Sequence, residues 1–440
     1  MKIIHITASY KPAYIYGGPI QSVGKLCEAL QRFTVNDKIL QKDQGESFNI
    51  DVLTTTANGK QELDIEAGKM QIVESVAVTY FKRWTKDHSH FSPGLLWALR
   101  KSILKYKNPP PAHSQSYAPP SKGGKGSFET ETFQLESNNL EDYNNDIVVH
   151  IHAWWNLVSM LSCWVAKWYK IPVILSPRGM LTSYTIGNRN SLSKKILHNL
   201  LGKRLLKYVH IHATSEKEKE DILKIVQPKS ITVIPNLVGF LEGEASIKYQ
   251  VSISEDQDFS NTFRIIFLSR IEEKKGLDLL FEALALLDFS WSLTIAGSGN
   301  EVYVRSLKAK AESLKLNNQI IWLGQIANED KFDLMQNSDL LVLTSHNENF
   351  ANVIIESLSV GTAVLVSEHV GLADYVKEKD LGWISALNPI QIGEQITSSY
   401  RDTIKRAHIR EVAPSIISQD YKDEVLVKKY INLYNRVLNG

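Results

Sequence analysis

The sequence predicts an α/β protein with two doubly wound domains, each built on a parallel sheet, that face each other across a cleft. In both halves of the 440-residue chain, short apolar runs of strand length alternate with amphipathic segments of helical period. Most of these runs end in glycine-rich or polar loops, as βα turns do. Residues 239–261 lack periodicity and are typical of a linker. We therefore predict one domain over residues 1–238 and another over residues 262–420.

Composition describes an ordinary soluble globular protein, with 43% apolar and 22% charged residues. A net charge of +2 provides no basic field that would favour nucleic acid as a partner. The two cysteines, Cys27 and Cys163, fall among apolar residues of predicted helices, which favours buried thiols and a reducing compartment. The N-terminal apolar run is too short for a signal peptide, and no apolar stretch is long enough to span a bilayer. We expect a cytoplasmic protein, with peripheral membrane attachment left open.

The first strand is predicted over Ile3 to Thr7, and an amphipathic helix follows a loop that contains Gly17 and Gly18. A glycine pair at this place lets the backbone approach a diphosphate or an acceptor closely. A flexible βα turn without a ligand explains the same pair equally well. Further on, residues 107–146 are rich in proline, glycine, serine and asparagine, which predicts a surface insertion within the first domain.

The next strand, Ile147 to His152, places His150 and His152 on one face. That spacing also occurs in metal sites, but no cysteine or acidic residue lies at ligand spacing nearby, so no metal is predicted. The neighbouring tryptophans are expected to be core and groove-lining residues: Trp154, Trp155, Trp164 and Trp168. A further strand, Ile171 to Leu175, leads to Arg178, which either binds an acceptor phosphate or pins its own loop.

A basic amphipathic helix is predicted over residues 193–208, with leucines along one side and lysine and arginine along the other. Such a helix is typical of contact with an anionic membrane surface, and equally of a surface helix packed on its own sheet. Two more strands, His210 to Thr214 and Ile231 to Ile234, complete the first domain.

The second domain is predicted to begin with the strand Phe263 to Leu268, followed by Arg270 and Lys275. An arginine at the carboxyl end of a strand, with a lysine five residues later before a helix, makes a cationic clamp suited to a diphosphate. The next two strands lead to the turns that hold Gly297, Gln325 and Ile326.

A strand–loop–helix–strand unit runs from Leu340 to Val366 and carries two carboxylates, Glu348 in the loop and Glu356 in the helix. Asn352 is predicted to cap a helix that begins at Val353. Because ligands bind beyond the carboxyl ends of parallel strands, this helix tip can receive a phosphate and the carboxylates can accept hydrogen bonds from hydroxyls. Taken alone, the same residues also fit a solvated loop acid and an acid that satisfies the helix dipole.

The motifs E-N-F-A-N-V-I-I-E, over residues 348–356, and R-I-E-E-K-K-G, over residues 270–276, resemble the E-x7-E and R-x4-K-G elements of family 4 (group 1) retaining glycosyltransferases. These enzymes have the GT-B fold, in which two Rossmann-like domains face each other. Asn349 and Ala351 depart from the family pattern, which usually has glycine or proline there, and Ser269 replaces a usual glycine. The resemblance covers nearly the whole chain apart from the insertion and the linker.

The resemblance implies a role for each matched residue. Arg270 and Lys275 would neutralise the leaving diphosphate, Glu348 would face the donor sugar, and His152 would lie near its reacting carbon. The donor-binding set comprises Gly17, Gly18, Gly297, Gln325, Ile326, Phe350, Asn352, Val353 and Glu356, with Glu356 on the ribose, while Arg178 lies on the acceptor side. No metal or other cofactor is required by such a fold, and a C-terminal helix over residues 421–440 would cross back to the first domain.

The expected function is therefore retaining transfer of a sugar from a UDP- or GDP-linked donor to an acceptor hydroxyl. The family's usual setting is cell-surface polysaccharide or lipid-linked oligosaccharide synthesis, which suits a protein on the inner face of the plasma membrane. A glycoside hydrolase also uses two carboxylates but has no use for a diphosphate clamp. A non-catalytic GT-B partner or scaffold subunit of another transferase is the alternative, although all four charged donor-site positions are present.

Overall fold

The computed structural model describes residues 1–40, 48–85, 89–107, 146–182, 202–239, 262–327 and 330–440, without side-chain detail for residues 35–40. Most of the predicted insertion, basic helix and linker falls in residues 108–145, 183–201 and 240–261, so these three predictions lie outside the described residues.

The N-terminal half folds around a sheet in which all neighbouring strands are parallel except one edge pair. Its strands are β1 (Lys2–Ile6), β2 (Asn49–Thr55), β5 (Met70–Val73), β6 (Val76–Phe81), β7 (Ile147–His152), β8 (Val173–Ser176), β9 (His210–Ala213) and β10 (Ser230–Val233), while β3 (Ala57–Asn58) and β4 (Gln61–Glu62) pair separately. The spatial order is β10-β9-β8-β7-β1-β2-β6-β5, with β5 antiparallel to β6 at the edge. The order reverses direction between β1 and β7, which makes this a switch point of the sheet.

Helices cover both faces of this first sheet. They are α1 (Gly18–Leu40), α2 (Pro93–Lys107), α3 (Leu157–Trp168), α4 (Lys203–Leu206) and α5 (Glu216–Leu223). Successive strand residues alternate between the two faces, so that Ile3 packs in the core beneath α1 while Ile4 packs beneath α2 and α3. Because both faces are buried, the strands have continuous apolar runs rather than an alternating pattern.

The C-terminal half contains a second sheet, in which the described strands are all parallel. The strands are β11 (Phe263–Leu268), β12 (Trp291–Ala296), β13 (Ile320–Gly324), β14 (Leu340–Leu343), β15 (Val364–Ser367) and β16 (Gly382–Ser385), in the order β13-β12-β11-β14-β15-β16. This order is that of a doubly wound dinucleotide-binding sheet, with its switch point between β11 and β14. Two parallel-sheet domains confirm the predicted fold class.

The helices of the second half complete the layers around this sheet. They are α6 (Leu277–Leu284), α7 (Glu301–Ser313), α8 (Asp330–Gln336), α9 (Asn352–Ser359), α10 (Ala373–Glu378), α11 (Pro389–Arg401), α12 (Thr403–Asp420) and α13 (Asp423–Asn439). Several begin with side-chain caps, as where the carboxamide oxygen of Asn300 accepts hydrogen bonds from the first turn of α7. Among the described residues, no helix has both the length and the hydropathy needed to cross a bilayer.

The C-terminal helix α13 packs on the N-terminal domain against α1 and β7. Its buried side chains join the core beneath α1, which is continuous with the core of the second sheet. Tyr434 donates from its hydroxyl to His150, with 2.9 Å between Oη and Nδ1. One helix therefore connects the two domains through both apolar and polar contacts.

A buried hydrogen-bond chain continues from that tyrosine across β7, β8 and β9. The Ile234 carbonyl can only accept, so His212 donates to it from Nε2 at 2.8 Å and accepts from Ser176 Oγ at Nδ1, at 2.7 Å. Ser176 Oγ in turn accepts from His150 Nε2 at 2.7 Å, so that Nδ1 of His150 accepts from Tyr434. These directions take both imidazoles as neutral, in keeping with burial, which lowers the pKa of each ring.

The predicted burial of the cysteines is confirmed, whereas that of the tryptophans is confirmed only in part. Cys27 and Cys163 are buried free thiols, as predicted. Trp154 is fully buried, but Trp164 and Trp168 are 47% and 70% exposed, so of the predicted core and groove-lining tryptophans these two are not core residues. Both project from the outer side of α3, whose inner side supplies the apolar residues that the core requires.

Because of the buried histidines, the free energy of unfolding should decrease as the pH is lowered. Burial lowers the pKa of His212 from about 6.5 to about 3, so the unfolded state binds the extra proton between these values and stability falls as pH falls through that window. In His212→Asn, the slope of unfolding free energy against pH should decrease by up to about 1.4 kcal/mol per pH unit. Urea unfolding at several pH values between pH 7 and pH 4 measures this slope. The exposed His408→Asn is the control, and an unchanged slope in His212→Asn would contradict the prediction.

Candidate functional site

The switch point of the second sheet forms a crevice that gathers the predicted donor-site residues. β11 and β14 are hydrogen-bonded neighbours, yet the loops that follow them lead to opposite sides of the sheet. Arg270 follows β11, and Glu348 follows β14. Parallel strands end at the same edge of a sheet, so these two loops meet above it.

The turn that carries Lys275 is tied directly to the loop after β14. Thr344 donates from Oγ1 to the Gly276 carbonyl at 2.8 Å, and the His346 N–H donates to the Lys274 carbonyl at 2.8 Å. Gly276 adopts a left-handed conformation with φ +64°, and an added Cβ would lie 2.1 Å from the Thr344 carbonyl oxygen. Glycine is therefore required here, and the close approach brings Lys275 to the carboxylate of the neighbouring loop.

Lys275 and Glu348 form an ion pair in the crevice, with their side chains only 10% and 14% exposed. Burial lowers the pKa of the Lys275 ammonium, although Glu348 acts in the opposite direction. Burial alone would raise the pKa of Glu348, but Lys275, Lys274 and Arg270 together hold it below its usual value. The carboxylate is thus ionised and can accept hydrogen bonds from hydroxyl groups.

Arg270 lies at the mouth of the crevice, about half exposed, where its guanidinium pairs with Glu272 at 2.7 Å. The first domain reaches it through the loop after β1, because an added Cβ on Gly17 would lie 3.4 Å from Arg270 Nε. Gly17 has φ +71° and precedes α1, so the start of that helix points toward the clamp. Glycines from one domain and the cationic residues of the other are therefore brought together.

Helix α9 begins at Asn352, not at Val353, and Asn352 is not its cap. Ala351 precedes the helix in a left-handed conformation with φ +66° and makes no side-chain cap, so the prediction was wrong by one residue. The Asn352 carboxamide oxygen instead accepts a hydrogen bond from Asn236 of the first domain at 3.2 Å. An added Cβ on Gly18 would lie 3.8 Å from Asn352 Nδ2, so the N-termini of α1 and α9 approach each other across the cleft.

Glu356 lies one turn into α9 and is paired with Lys331 of α8. The two side chains are 7% and 8% exposed, with 2.8 Å between Lys331 Nζ and Glu356 Oε1. Lys331 was not predicted as a site residue. Lys331 is buried in the first turn of α8. The helical period of the sequence does not show that a lysine at this position would be buried.

Arg178 and His152 lie together at the switch point of the first sheet. Arg178 donates from Nη1 to Asn236 Oδ1 at 2.8 Å and to Ser22 Oγ at 3.0 Å, and its Nη2 lies 3.5 Å from His152 Nδ1. These bonds favour the interpretation that Arg178 pins its loop. No carboxylate pairs with it among the described residues, and burial lowers its pKa.

His152 is buried behind Arg178, with its Nε2 hydrogen-bonded to His5 Nδ1 at 2.9 Å. Burial, with the charges of His150 and Arg178, lowers the pKa of His152 well below its usual value, so the ring is neutral. His5, His150 and His152 could between them offer nitrogens within 4.8 Å of one another to a metal ion. Both nitrogens of His150 are engaged in the hydrogen-bond chain, with Tyr434 and Ser176.

The remaining predicted residues lie around the crevice. Gly297 follows β12 and donates from its N–H to the Gly324 carbonyl at 2.7 Å, while Gln325 accepts from Ser298 at 2.9 Å. With Ile326, these residues lie at the carboxyl ends of β12 and β13, on one side of Arg270. Val353 is in the first turn of α9. Phe350 turns its side chain into the core against Tyr421, so only its backbone is available to a donor.

The geometry gives a crevice with three charged groups on one wall and two helix N-termini at its mouth. Arg270, Lys275 and Glu348 come from the second domain, whereas Gly17, Gly18 and Arg178 come from the first. Such a site can bind an anion with hydroxyl-bearing groups attached. The ligand roles of these residues remain predictions.

Family and structure comparisons agree with this architecture. The family described as Glycosyl transferases group 1 matches residues 252–415, and the family described as Glycosyltransferase Family 4 matches residues 135–239. An uncharacterised glycosyltransferase of Methanocaldococcus jannaschii is 24% identical over 65% of this chain and 74% of its own length. An N,N'-diacetylbacillosaminyl-diphospho-undecaprenol α-1,3-N-acetylgalactosaminyltransferase of Campylobacter jejuni is 23% identical over 62% of this chain and 73% of its own length.

Solved structures extend the likeness to the whole chain. HepE of Anabaena, determined in complex with UDP and glucose, superposes with a TM-score of 0.65 at 16% identity, covering 99% of this chain and 100% of that one. Sucrose-phosphate synthase from Thermosynechococcus elongatus gives a TM-score of 0.66 at 16% identity, covering 99% and 98%. At these identities the likeness concerns the fold, and it confirms the predicted GT-B architecture.

The buried Lys331–Glu356 pair should matter for stability in a way that depends on both partners. Lys331→Met leaves a buried carboxylate without its cation and should lower the free energy of unfolding by about 3–5 kcal/mol. The double variant Lys331→Met/Glu356→Gln should recover much of that loss, because no unpaired charge remains. Urea unfolding measures both. Lys224→Met, at an exposed ion pair with Asp221, should cost about 0–1 kcal/mol, and an equal cost at both lysines would refute the proposed burial effect.

Proposed function

This chain belongs to the family 4 (group 1) glycosyltransferases, and we propose that it moves a sugar from a UDP- or GDP-linked donor to an acceptor hydroxyl with retention of anomeric configuration. The observation that carries the proposal is the buried Lys275–Glu348 pair beside Arg270 at the switch point of the second sheet. A diphosphate needs cations and a sugar needs hydroxyl acceptors, and this crevice holds both within one wall.

The clamp would act where charge develops during the reaction. As the bond between the anomeric carbon and the diphosphate oxygen breaks, negative charge grows on the diphosphate. Arg270 can offer forked hydrogen bonds to it and Lys275 a point charge, and the N-termini of α1 and α9 add positive potential. Arg270 would exchange Glu272 for the phosphate, since that ion pair is half exposed and therefore weak.

Glu348 would change partners as the donor binds. In the free protein its carboxylate is satisfied by Lys275, and a diphosphate that competes for this lysine would release acceptor positions to the sugar hydroxyls. The acceptor oxygen would then bond to the anomeric carbon on the face from which the diphosphate leaves. The acceptor proton would pass to the departing diphosphate oxygen, so the step needs no protein nucleophile.

Recognition of the nucleotide would extend from Arg270 in two directions. Glu356, oriented by Lys331, would accept hydrogen bonds from the ribose hydroxyls through its remaining lone pairs. Gly297, Gln325 and Ile326 would contact the base, largely through backbone groups at the ends of β12 and β13. Such contacts do not distinguish uracil from guanine by side-chain type, so a donor panel must include both.

On the acceptor side, Arg178 would hold its loop while offering positive charge to an acceptor phosphate. No carboxylate forms an ion pair with it among the described residues, and its buried Nε has no hydrogen-bond partner there, which supports an anionic acceptor group nearby in the working enzyme. The Campylobacter jejuni relative is named as a transferase that acts on a diphospho-undecaprenol-linked sugar. A lipid-linked acceptor, used in cell-surface polysaccharide or oligosaccharide synthesis, is therefore the proposed substrate class.

A lipid-linked acceptor implies contact with a membrane surface at the cytoplasmic side. The predicted helix over residues 193–208 is described only at its end, where Leu205 and Leu206 pack in the core while Lys203, Arg204 and Lys207 are exposed. Helix α3 lies next to it and α2 lies next to α3, and neither helix contains an acidic residue. Their outer sides expose Trp97, Trp164 and Trp168 beside several lysines. Exposed tryptophans among cations suit the interface of an anionic bilayer.

Donor turnover is the direct test of the transferase. Released diphosphate should appear with one member of a panel of UDP- and GDP-sugars, and Glu348→Gln should lower kcat about a hundredfold or more by removing the charged sugar contact. Lys275→Ala should weaken diphosphate binding, as measured by calorimetry. NMR of the product's anomeric centre decides retention against inversion.

The results of these assays distinguish an active transferase from a non-catalytic subunit. Nucleotide binding without turnover of any donor, in the presence of undecaprenyl-diphosphate-linked sugars, would favour a non-catalytic GT-B partner subunit. Unchanged kcat in Glu348→Gln would overturn the proposed role of that residue. The Glu312→Gln variant, exposed in the last turn of α7 and far along the helix from the crevice edge of the sheet, is a matched control that should keep full turnover.

Membrane contact should depend on the basic residues of α4 and its C-cap Lys207. The triple variant Lys203→Gln/Arg204→Gln/Lys207→Gln should lose about 3 kcal/mol of binding to vesicles containing phosphatidylglycerol at low salt, since each cation near such a surface contributes about 1 kcal/mol. Vesicle co-sedimentation measures this, and rising salt should weaken the wild type too. The control with equal charge change is Lys308→Gln/Lys315→Gln/Lys377→Gln on the second domain. Equal binding by both triple variants would place the contact elsewhere.

A further inference from the structure

Asn349 reaches from the second domain to the first across the cleft. Its Nδ2 donates to Thr214 Oγ1 at 2.8 Å and lies 3.4 Å from Glu218 Oε2. Its backbone carbonyl accepts from Ser215 Oγ at 2.7 Å. One residue next to Glu348 therefore makes polar contacts with three residues around the start of α5: Thr214, Ser215 and Glu218.

Glu218 is the centre of this contact and is only 1% exposed. Its Oε1 accepts from the Gly179 N–H at 2.6 Å, and its Oε2 accepts from the N–H and the hydroxyl of Thr214, both at 2.7 Å. No lysine, arginine or histidine forms an ion pair with it among the described residues. A buried carboxylate must be satisfied by hydrogen bonds, so each of these neutral donors contributes to its stability.

The contacts join the acceptor-side loop to the donor-side loop. Gly179 follows Arg178, so Glu218 holds the loop that carries the buried guanidinium. On the other side, the Gly371 N–H donates to the Glu348 carbonyl at 2.7 Å, and the Glu348 N–H donates to the His369 carbonyl at 3.2 Å. The backbone of Glu348 is thus fixed within its own domain, and Asn349 ties it to the other.

We propose that Asn349 and Glu218, bridged by Thr214, form an interdomain latch that holds the cleft closed and sets the position of Glu348 relative to the Arg178 loop. Asn349 and Glu218 are positioning residues, because they act through Glu348 and Arg178. The catalytic consequence rests on the proposed transferase reaction, whereas the latch itself rests only on these contacts.

The chemistry of the site explains why asparagine suits position 349. Glu218 only accepts hydrogen bonds, so the amide must turn its NH₂ group toward it, with Thr214 Oγ1 as the other acceptor. Glycine or proline, usual at this place in the resembled family, has no side-chain donor for either group. Aspartate has nearly the same shape but would set a second carboxylate against Glu218, and like charges at this distance repel.

The first arm of the test measures closure without any substrate. Small-angle X-ray scattering should show a larger radius of gyration for Asn349→Asp and Asn349→Gly than for the wild type. Hydrogen exchange at the Gly179 and Thr214 amides should become faster in both variants, because these amides are hydrogen-bonded to Glu218. Thr214→Val should behave in the same way, whereas Thr214→Ser keeps the hydroxyl and should restore the wild-type result. Wild-type scattering and exchange in Asn349→Asp would overturn the latch.

The second arm separates positioning from a merely structural contact. In Asn349→Gly, kcat for donor turnover should fall at least about fivefold, while the dissociation constant for UDP or GDP should change less, because the clamp lies within one domain. A fall in thermal stability with unchanged kcat would show a structural contact only and would refute positioning. If the wild type bound neither nucleotide and turned over no donor, the proposed function would fail, while the scattering arm would still decide the latch.

Discussion

Adjacency of β11 and β14 in the second sheet is the constraint on which the site depends. Parallel neighbours end at one edge, and here the chain leaves that edge in opposite directions. Lys275 and Glu348, 73 residues apart in sequence, meet there as a result. The tight approach of Gly276 to the Thr344 carbonyl converts this adjacency of strands into contact between functional side chains. That approach brings Lys275 and Glu348, which lie on separate loops, into an ion pair.

Buried charged side chains are a second feature of the structure. Glu348 and Glu356 are each held by a lysine, in pairs whose desolvation cost is large and whose geometry must therefore be good. Glu218 is buried too, but neutral donors satisfy its carboxylate. These two kinds of environment suit different tasks. A paired carboxylate can exchange its partner when an anion arrives, whereas a carboxylate held by backbone N–H groups keeps a loop in place.

The two domains are joined at two levels. Away from the cleft, α13 buries apolar residues against the first domain. Tyr434 of this helix begins a hydrogen-bond chain through His150, Ser176 and His212. At the cleft, contacts are polar and few, centred on Asn349 and on the bond between Asn236 and Asn352. The two domains therefore share an apolar contact at α13 and polar contacts at the cleft. The same arrangement keeps Arg178 and Glu348 in one site although they belong to different domains.

Much of the fold and part of the site followed from the sequence because the relevant signals are local. Apolar runs predicted β7, β11 and β14 at their observed bounds, and the spacing of Arg270 and Lys275 placed both at the end of one strand. The strands between Asn49 and Phe81 were not predicted, and the start of α9 was misplaced because a left-handed Ala351 carries no capping signal. Tertiary structure alone decided the partners: Lys331 for Glu356, Tyr434 for His150, and Thr214 for Asn349. These partners lie far apart in the chain, and no local period encodes which buried polar groups will face each other once the layers and domains have packed.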